Sequence, residues 1–147
     1  MQASSYPVES LVPHRPPMVL IDAVESVDLP SATLVASFTA REEWSGNWFA
    51  LEYMAQAAAA LAGVFDREAG EAAGRPGFLL GTRRLALGIA RFVPGVKYMV
   101  KVVREYEDGD SAAFSCEIRE AGEDSQSGNC SATLTAYRPP QPKVLLA

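Results

Sequence analysis

The feature that most constrains the fold of this chain is one long apolar helix, predicted for residues 49–65. Apolar side chains recur there at the spacing of one helical face: Leu51, Met54, Ala55, Ala58, Leu61, Ala62 and Phe65. The other faces carry small residues, namely Ala57, Ala59, Ala60 and Gly63. Asn47 is predicted as the N-cap, and Gly70, Gly74 and Pro76 are expected to end the helix. Neighbouring segments can therefore approach this helix closely, and the rest of the chain is expected to wrap around it.

Two polar residues interrupt the apolar helix: Glu52 in its first turn, and Gln56 one turn later on the same face. A carboxylate near a helix N-terminus is stabilised by the partial positive charge there, whereas burial favours its protonated form. The pair is therefore the candidate for acid or base chemistry. In the alternative interpretation, Glu52 only complements the helix dipole.

Length and composition predict one domain over residues 1–147, with an irregular lead-in at 1–17 and an extended tail at 139–147. A chain of 147 residues that is 48% hydrophobic can bury a single core. The apolar helix is shorter than the ~20 residues that a bilayer span needs, and the N-terminus lacks a basic-then-apolar signal pattern. We therefore expect a cytoplasmic protein with no membrane span.

The cysteine and histidine content argues against a disulfide framework and against a zinc site. Cys116 and Cys130 are predicted as small core residues that stay reduced, because no export signal precedes them. A single histidine, His14, is too few for a Cys/His cluster, so no metal is expected.

Alternating segments on both sides of the helix predict a sheet. They cover residues 18–28 and 31–40 before the helix, and 78–83, 85–93, 96–106, 111–120 and 130–137 after it. A tight hairpin is predicted at 107–110. Two strands, one helix and then several long antiparallel strands predict an α+β hotdog fold, in which a curved antiparallel sheet wraps around one long central helix.

Two motifs carry a resemblance to a known family. Residues 11–22, Leu-Val-Pro-His-Arg-Pro-Pro-Met-Val-Leu-Ile-Asp, resemble the opening motif of the hotdog-fold 3-hydroxyacyl-(acyl carrier protein) dehydratases. Residues 51–56, Leu-Glu-Tyr-Met-Ala-Gln, resemble their central-helix motif, and the likeness continues through 77–83 and 90–95. It is nearest to the small predicted dehydratases of aryl polyene-type biosynthesis. The resemblance implies an active site between two protomers and a substrate carried on phosphopantetheine, with no further cofactor.

The resemblance assigns the catalytic carboxylate to Glu52 and its neighbouring amide to Gln56, but it supplies no catalytic histidine. The family places that histidine in the loop before the helix, and the corresponding residues 43–49 contain none. His14 falls in the opening motif, where the family uses the residue structurally. Two sources of a general base stay open: His14 itself, or a histidine-bearing hotdog partner. In either case we predict little activity from the isolated chain.

The helix start is predicted to bind the substrate through Asn47, Trp48 and Phe49. Dehydration of a 3-hydroxyacyl thioester needs a base, an acid and polarisation of the thioester carbonyl. Backbone N–H groups of Trp48 and Phe49 are expected to hold the thioester oxygen. Trp44 and Trp48, in the loop before the helix, are expected either to line a ligand entrance or to cover the helix end.

Charge is segregated along the chain, whose net charge is −5. Residues 75–104 hold seven basic and no acidic side chains. This stretch is predicted to bind an acidic acyl carrier protein through Arg83, Arg84 and Arg91. In the alternative interpretation, the charges scatter over both sheet faces.

Three functions are compatible with these residues. The first is a 3-hydroxyacyl-ACP dehydratase, or one subunit of it, in fatty acid or polyene-type biosynthesis. The second is a non-catalytic acyl-binding subunit that completes a heterodimer, and the third is a hotdog acyl thioesterase that uses Glu52 to activate water. A homodimer or heterodimer paired through sheet edges is expected, with no nucleic acid partner.

Overall fold

One helix and six strands make up the part of the chain that the structure, a computed structural model, describes: residues 6–14, 18–71, 73, 77–122 and 130–139. The helix α1 spans Ala50–Glu68. The strands are β1 (Ala23–Asp28), β2 (Thr33–Thr39), β3 (Phe78–Leu87), β4 (Lys97–Asp108), β5 (Ser111–Glu120) and β6 (Cys130–Tyr137). Short 3-10 turns occupy Val8–Ser10, Glu42–Trp44 and Asn47–Phe49.

All six strands form one antiparallel sheet in the order β1-β2-β4-β5-β6-β3. The strand that follows the helix, β3, crosses to the far edge and pairs only with β6 among the described residues. The helix packs chiefly on β4, β2 and β5, which leaves the sheet face over β6 and β3 less covered. The predicted hotdog architecture, a sheet wrapped around one long helix, is confirmed.

Apolar and polar side chains alternate along β5 and β6, so one face of each strand is apolar and packs in the core, as the sequence predicts. Phe114, Cys116 and Ile118 are buried on β5, and Cys130, Ala132 and Leu134 on β6. Both cysteines are free thiols, and their placement as core residues is confirmed. A buried aromatic cluster completes this core: Phe38, Tyr53, Phe92 and Tyr98. Because each large apolar side chain contributes about 1.5–3 kcal/mol when buried, this cluster fixes the helix on the sheet.

The lead-in segment runs antiparallel to α1 and packs directly on it. At one end, the Tyr6 hydroxyl donates to Glu68 Oε1 (2.6 Å). Further along, the backbone of Leu11 touches Gly63 so closely that an added Cβ would lie 3.0 Å from the Leu11 Cα and nearer still to its carbonyl oxygen. A small residue on this helix face, as the sequence suggested, is what lets the segment approach.

Two strand predictions are wrong in extent. The predicted strand 18–28 starts only at Ala23, because the backbone at Met18 and Leu20 bonds to the side chain of Gln56 instead of a neighbouring strand. The predicted pair 78–83 and 85–93 is one strand that ends at Leu87, with irregular register at two places, one of them around Arg84, whose φ is 55°. Residues 88–93 instead meet the loop before the helix, where Phe92 N–H donates to Ser45 O (2.7 Å).

The predicted cap of α1 by Asn47 is also wrong. Asn47 lies in a 3-10 turn, and its Nδ2 donates to Ile89 O (3.0 Å), tying the helix start to the segment after β3. Phe49 occupies the cap position and makes no side-chain cap bond. At the other end the helix runs to Glu68, three residues beyond the predicted end at 65, and it stops before Gly70, which adopts a φ of 76°. Gly74 and Pro76 lie outside the described residues.

The stretch Asn47–Glu68 has 22 residues and a mean hydropathy of 1.2, so the expectation that this helix is too short to span a membrane is wrong. In the structure, however, 56% of its apolar window is buried against the rest of the chain. Apolar helices that form the core of a folded domain pass the same test, and α1 is such a helix.

Candidate active site

Gln56 organises the polar part of the helix. It is fully buried, and its Nε2 donates both to Glu52 Oε1 (2.9 Å) and to Met18 O (2.8 Å). Its Oε1 accepts from Leu20 N–H (2.8 Å). One amide therefore holds the segment after the lead-in and also fixes the orientation of the Glu52 carboxylate.

His14 lies beside that carboxylate. Its Nε2 is 3.4 Å from Glu52 Oε1, and the two side chains are 29% and 40% exposed. The lead-in brings the imidazole there because Leu11 packs on the helix face at Gly63 and Leu20 is bonded by Gln56 on the other side of His14. The structure thus brings together all three residues that the sequence singled out for catalysis. Their catalytic roles stay a prediction.

A groove of about 790 Å³ opens next to this cluster and follows α1 toward its C-terminus. Glu52 and His14 border it near the helix start. Its helix side is made mainly of small residues, Ala55, Ala58, Ala59 and Ala62, and its sheet side includes Ala112, Phe114, Leu134 and Ala136. Leu51, Ala55, Ala62 and Phe65 are only half-buried, so the single apolar helix face predicted from spacing is divided between the core and this groove.

The helix start borders both the groove and a shallow recess of about 330 Å³. Trp48 lines both spaces and is 69% exposed, the largest exposure among the large apolar side chains of the described residues. This exposed position favours the interpretation that Trp48 lines a ligand entrance over the interpretation that it covers the helix end. Phe49 packs edge-on against Trp44, with ring centroids 5.3 Å apart. Its N–H donates to Gly46 O (3.0 Å), so this donor already has a partner within the turn, and its binding to a thioester oxygen stays a prediction.

The basic stretch is less free than its composition suggests. Arg91 contacts Glu42 Oε2 (3.2 Å), Lys97 contacts Glu25 Oε2 (3.8 Å), and Arg104 contacts Glu107 Oε2 (3.3 Å). Arg83 and Arg84 are exposed on β3, and no ion pair joins them to another described residue. Arg75 lies outside the described residues. Of the three arginines predicted for carrier binding, two therefore keep an open guanidinium.

Two features of the groove carry little signal in the sequence. The Arg104 guanidinium lies 3.9 Å from the centre of the Phe65 ring. Arg138 binds Asp66 through both nitrogens, at 2.5 and 2.9 Å, and the Asp66 side chain is only 5% exposed. The charged residues are visible in the sequence, but the residues that they contact lie far away in the chain, so both contacts follow only from the tertiary structure.

Burial keeps the Tyr53 phenol and the Cys116 thiol protonated. It raises the pKa of Tyr53 from 10.0 to about 12, and the hydroxyl donates to Trp44 O (3.0 Å), which anchors the loop before the helix. Burial likewise raises the pKa of Cys116 to about 12. Neither group is suited to acid–base chemistry near neutral pH.

The fold and this cluster define a hotdog-fold protein with a carboxylate, an imidazole and an amide gathered beside an apolar groove. The family model of the ApeP dehydratase, named ApeP-like, matches residues 6–147. The chain therefore belongs to the ApeP-like dehydratase family, which confirms the resemblance seen in the motifs.

Solved structures agree with this assignment. A chain of the dehydratase heterocomplex ApeI:P from Xenorhabdus doucetiae is 26% identical with a TM-score of 0.81, over 92% of this chain and 93% of that chain. A putative thioesterase from Ralstonia eutropha is 15% identical with a TM-score of 0.58, over 78% and 83% of the two chains. A hypothetical thioesterase with coenzyme A from Streptococcus pneumoniae is 12% identical with a TM-score of 0.57, over 82% and 87%. The two thioesterases share the fold alone, and a search of curated proteins found no significant match.

Proposed function

We propose that this chain is a dehydratase subunit that removes water from 3-hydroxyacyl thioesters carried on an acyl carrier protein, in fatty acid or polyene-type biosynthesis. The observation that carries the proposal is the contact between His14 Nε2 and Glu52 Oε1 (3.4 Å) at the edge of an apolar groove in a protein of the ApeP-like family. The substrate brings its own phosphopantetheine, and no other cofactor is required.

In the proposed reaction, neutral His14 removes the proton from the α-carbon, and protonated Glu52 donates its proton to the 3-hydroxyl group. The C–O bond breaks, water leaves, and the double bond forms between the α- and β-carbons. Proton transfer from His14 back to Glu52 then resets both groups, for which their direct contact is suited. Gln56 orients Glu52 through its 2.9 Å bond. The direct contact between His14 and Glu52 favours His14 over a partner histidine as the base.

The acyl chain is proposed to lie in the groove, against the alanines of α1. Small apolar side chains leave room for a hydrocarbon chain and gain from excluding water around it. Trp48 would cover the thioester end, because its ring borders the groove next to Glu52 and is exposed enough to close over a ligand.

A second hotdog subunit is proposed to pair with the edge strand β3. This edge exposes Leu79, Leu80, Leu85 and Leu87, and a long apolar edge strand is a template for pairing with another chain. The similar ApeI:P structure is a heterocomplex, which favours a heterodimer over a homodimer. Glu52 is 40% exposed in the single chain, so a partner that covers the groove would also exclude water from the chemistry.

Light scattering tests this pairing. The native chain, alone or with its partner, is expected to run as a dimer at micromolar concentration, and Leu80→Lys with Leu85→Lys should reduce it to monomers. Val93→Lys is the matched control, since Val93 is exposed but lies outside β3. A clean monomer of the native chain that also binds no partner would contradict the pairing.

The carrier protein is proposed to bind near Arg83 and Arg84, which are exposed and free to meet acidic side chains. Arg83→Glu with Arg84→Glu should weaken binding of an acyl carrier protein at low salt. Lys101→Glu, an exposed residue of the same basic stretch, is the control. If the double variant binds as tightly as the native chain, carrier docking lies elsewhere.

Catalysis is tested by hydration of a crotonyl-type thioester and by release of thiol from a saturated one. A dehydratase hydrates the enoyl substrate, a thioesterase releases thiol from both, and a non-catalytic subunit does neither alone or with a partner. We expect slow hydration by the isolated chain and faster hydration with its partner subunit. Glu52→Gln should lower that rate by ~10²–10⁴-fold, the usual contribution of a positioned acid or base. Glu105→Gln, an exposed glutamate on β4, should leave it unchanged.

His14→Ala separates the two sources of the base. It should abolish hydration if His14 is the base, and chiefly lower stability if the partner supplies the histidine. Full activity that survives both Glu52→Gln and His14→Ala would overturn the proposed mechanism.

A further inference from the structure

The groove changes character at Phe65. Between Glu52 and Phe65 the helix side of the groove is alanine-rich, so it is wide and apolar. Phe65 is the first large side chain on the helix wall after Glu52, and the other residues that line the groove near it include Asp66, Arg104, Glu107 and Arg138. A hydrocarbon chain that extends along the helix therefore meets a ring and then charged groups.

The Phe65 ring is held in place by Arg104. The guanidinium lies 3.9 Å from the ring centre, within the range of a cation–π interaction. Arg104 is fixed in turn by Glu107 Oε2 (3.3 Å), and its backbone N–H donates to Ala32 O (2.9 Å). Its side chain is 22% exposed and lines the groove.

The neighbouring Asp66–Arg138 pair makes this end of the groove costly for an apolar chain. Its two hydrogen bonds join the helix to the residue that follows β6. An acyl chain pushed past Phe65 would have to separate this ion pair or displace water from the partly exposed Arg138 side chain, without replacing the lost hydrogen bonds. The ring and the charges together form a stop.

We propose that Phe65, held by Arg104, sets the longest acyl chain that the site accepts. This inference rests on the proposed function, because it takes the thioester to lie at Glu52. Thirteen helical positions separate Glu52 from Phe65, which at 1.5 Å per residue gives an apolar section of about 20 Å. Chains that fit within this section bind without disturbing the stop, and longer chains must move the ring.

Two substitutions test the inference in opposite directions. Phe65→Ala should extend the range of accepted chains, and kcat/KM for the first chain length that the native protein rejects should rise by about tenfold or more. Ala59→Phe places a ring about 10 Å from Glu52, so it should exclude long chains and retain short ones. Val93→Ala, exposed and outside the groove, is the control.

The readouts are kcat/KM for a series of enoyl thioesters of increasing length and, separately, calorimetric binding of saturated acyl-pantetheine thioesters. A length limit that moves outward in Phe65→Ala and inward in Ala59→Phe supports the inference. An unchanged length profile in Ala59→Phe overturns it, even if Phe65→Ala fails to fold. If no variant hydrates any substrate but the binding limit still moves, the proposed reaction fails and the length limit stands.

Discussion

Replacing Gly63 with alanine tests whether the close contact between helix and lead-in is as tight as the structure indicates. The new Cβ would lie 3.0 Å from the Leu11 Cα and 3.1 Å from its carbonyl carbon, and nearer still to the carbonyl oxygen. These are backbone atoms, which cannot rotate away as a flexible side chain can. Leu11 and Val12 are both fully buried, so the segment has no free space into which to move.

Two effects of opposite sign set the magnitude. Alanine is favoured over glycine inside a helix by about 1 kcal/mol. Overpacking a filled core costs typically about 1–3 kcal/mol, and contact with backbone lies at the upper end of that range. We therefore expect a net loss of about 2 kcal/mol in the free energy of unfolding, which for a chain of this size lowers the Tm by about 6 °C.

The assay is urea unfolding followed by circular dichroism, with Ala59→Gly as the matched control in the same helix. The control should lose about 1 kcal/mol from helix propensity. If the contact at Leu11 is loose, Gly63→Ala should gain that amount instead of losing stability. A more stable Gly63→Ala protein would therefore refute the reasoning and also the path by which the lead-in positions His14.

Three further outcomes are expected. Asp66→Asn should lower the free energy of unfolding, measured in urea, by about 3 kcal/mol, because it leaves the Arg138 guanidinium without its buried counter-ion. Glu42→Gln, in the exposed pair with Arg91, should lower it by less than about 1 kcal/mol. Tyr53→Phe removes the bond to Trp44 O and should cost about 1 kcal/mol, and an unchanged unfolding midpoint would contradict that bond. Burial raises the pKa of Cys116 from 9.0 to about 12, so the thiol ionises first in the unfolded chain, and the free energy of unfolding should fall as pH rises from about 9 toward 12. Native protein should also resist a thiol reagent at pH 8, and rapid labelling there would contradict the burial of Cys116.

The site could be predicted only in part. Glu52 and Gln56 lie one turn apart on one helix, so helical geometry alone places them on one face, and the 2.9 Å bond between them agrees. Asn47 shows the limit of local rules: it has the chemistry of a cap, but its amide bonds to Ile89 because the two loops pack together. In the sequence, Arg104 belongs to a basic stretch predicted to bind a partner, whereas in the structure its guanidinium stacks on the Phe65 ring in the groove.

What the sequence by itself determined is the local and periodic part of this protein. The 3.6-residue repeat of apolar side chains marked α1, the alternation of apolar and polar residues marked β2, β5 and β6, and the family motifs marked Glu52. The tertiary structure decided which distant residues meet. His14 reaches Glu52 because Gly63 admits the Leu11 backbone and Gln56 binds the chain at Leu20. Such contacts depend on packing between segments far apart in the chain, which no local pattern of residues encodes.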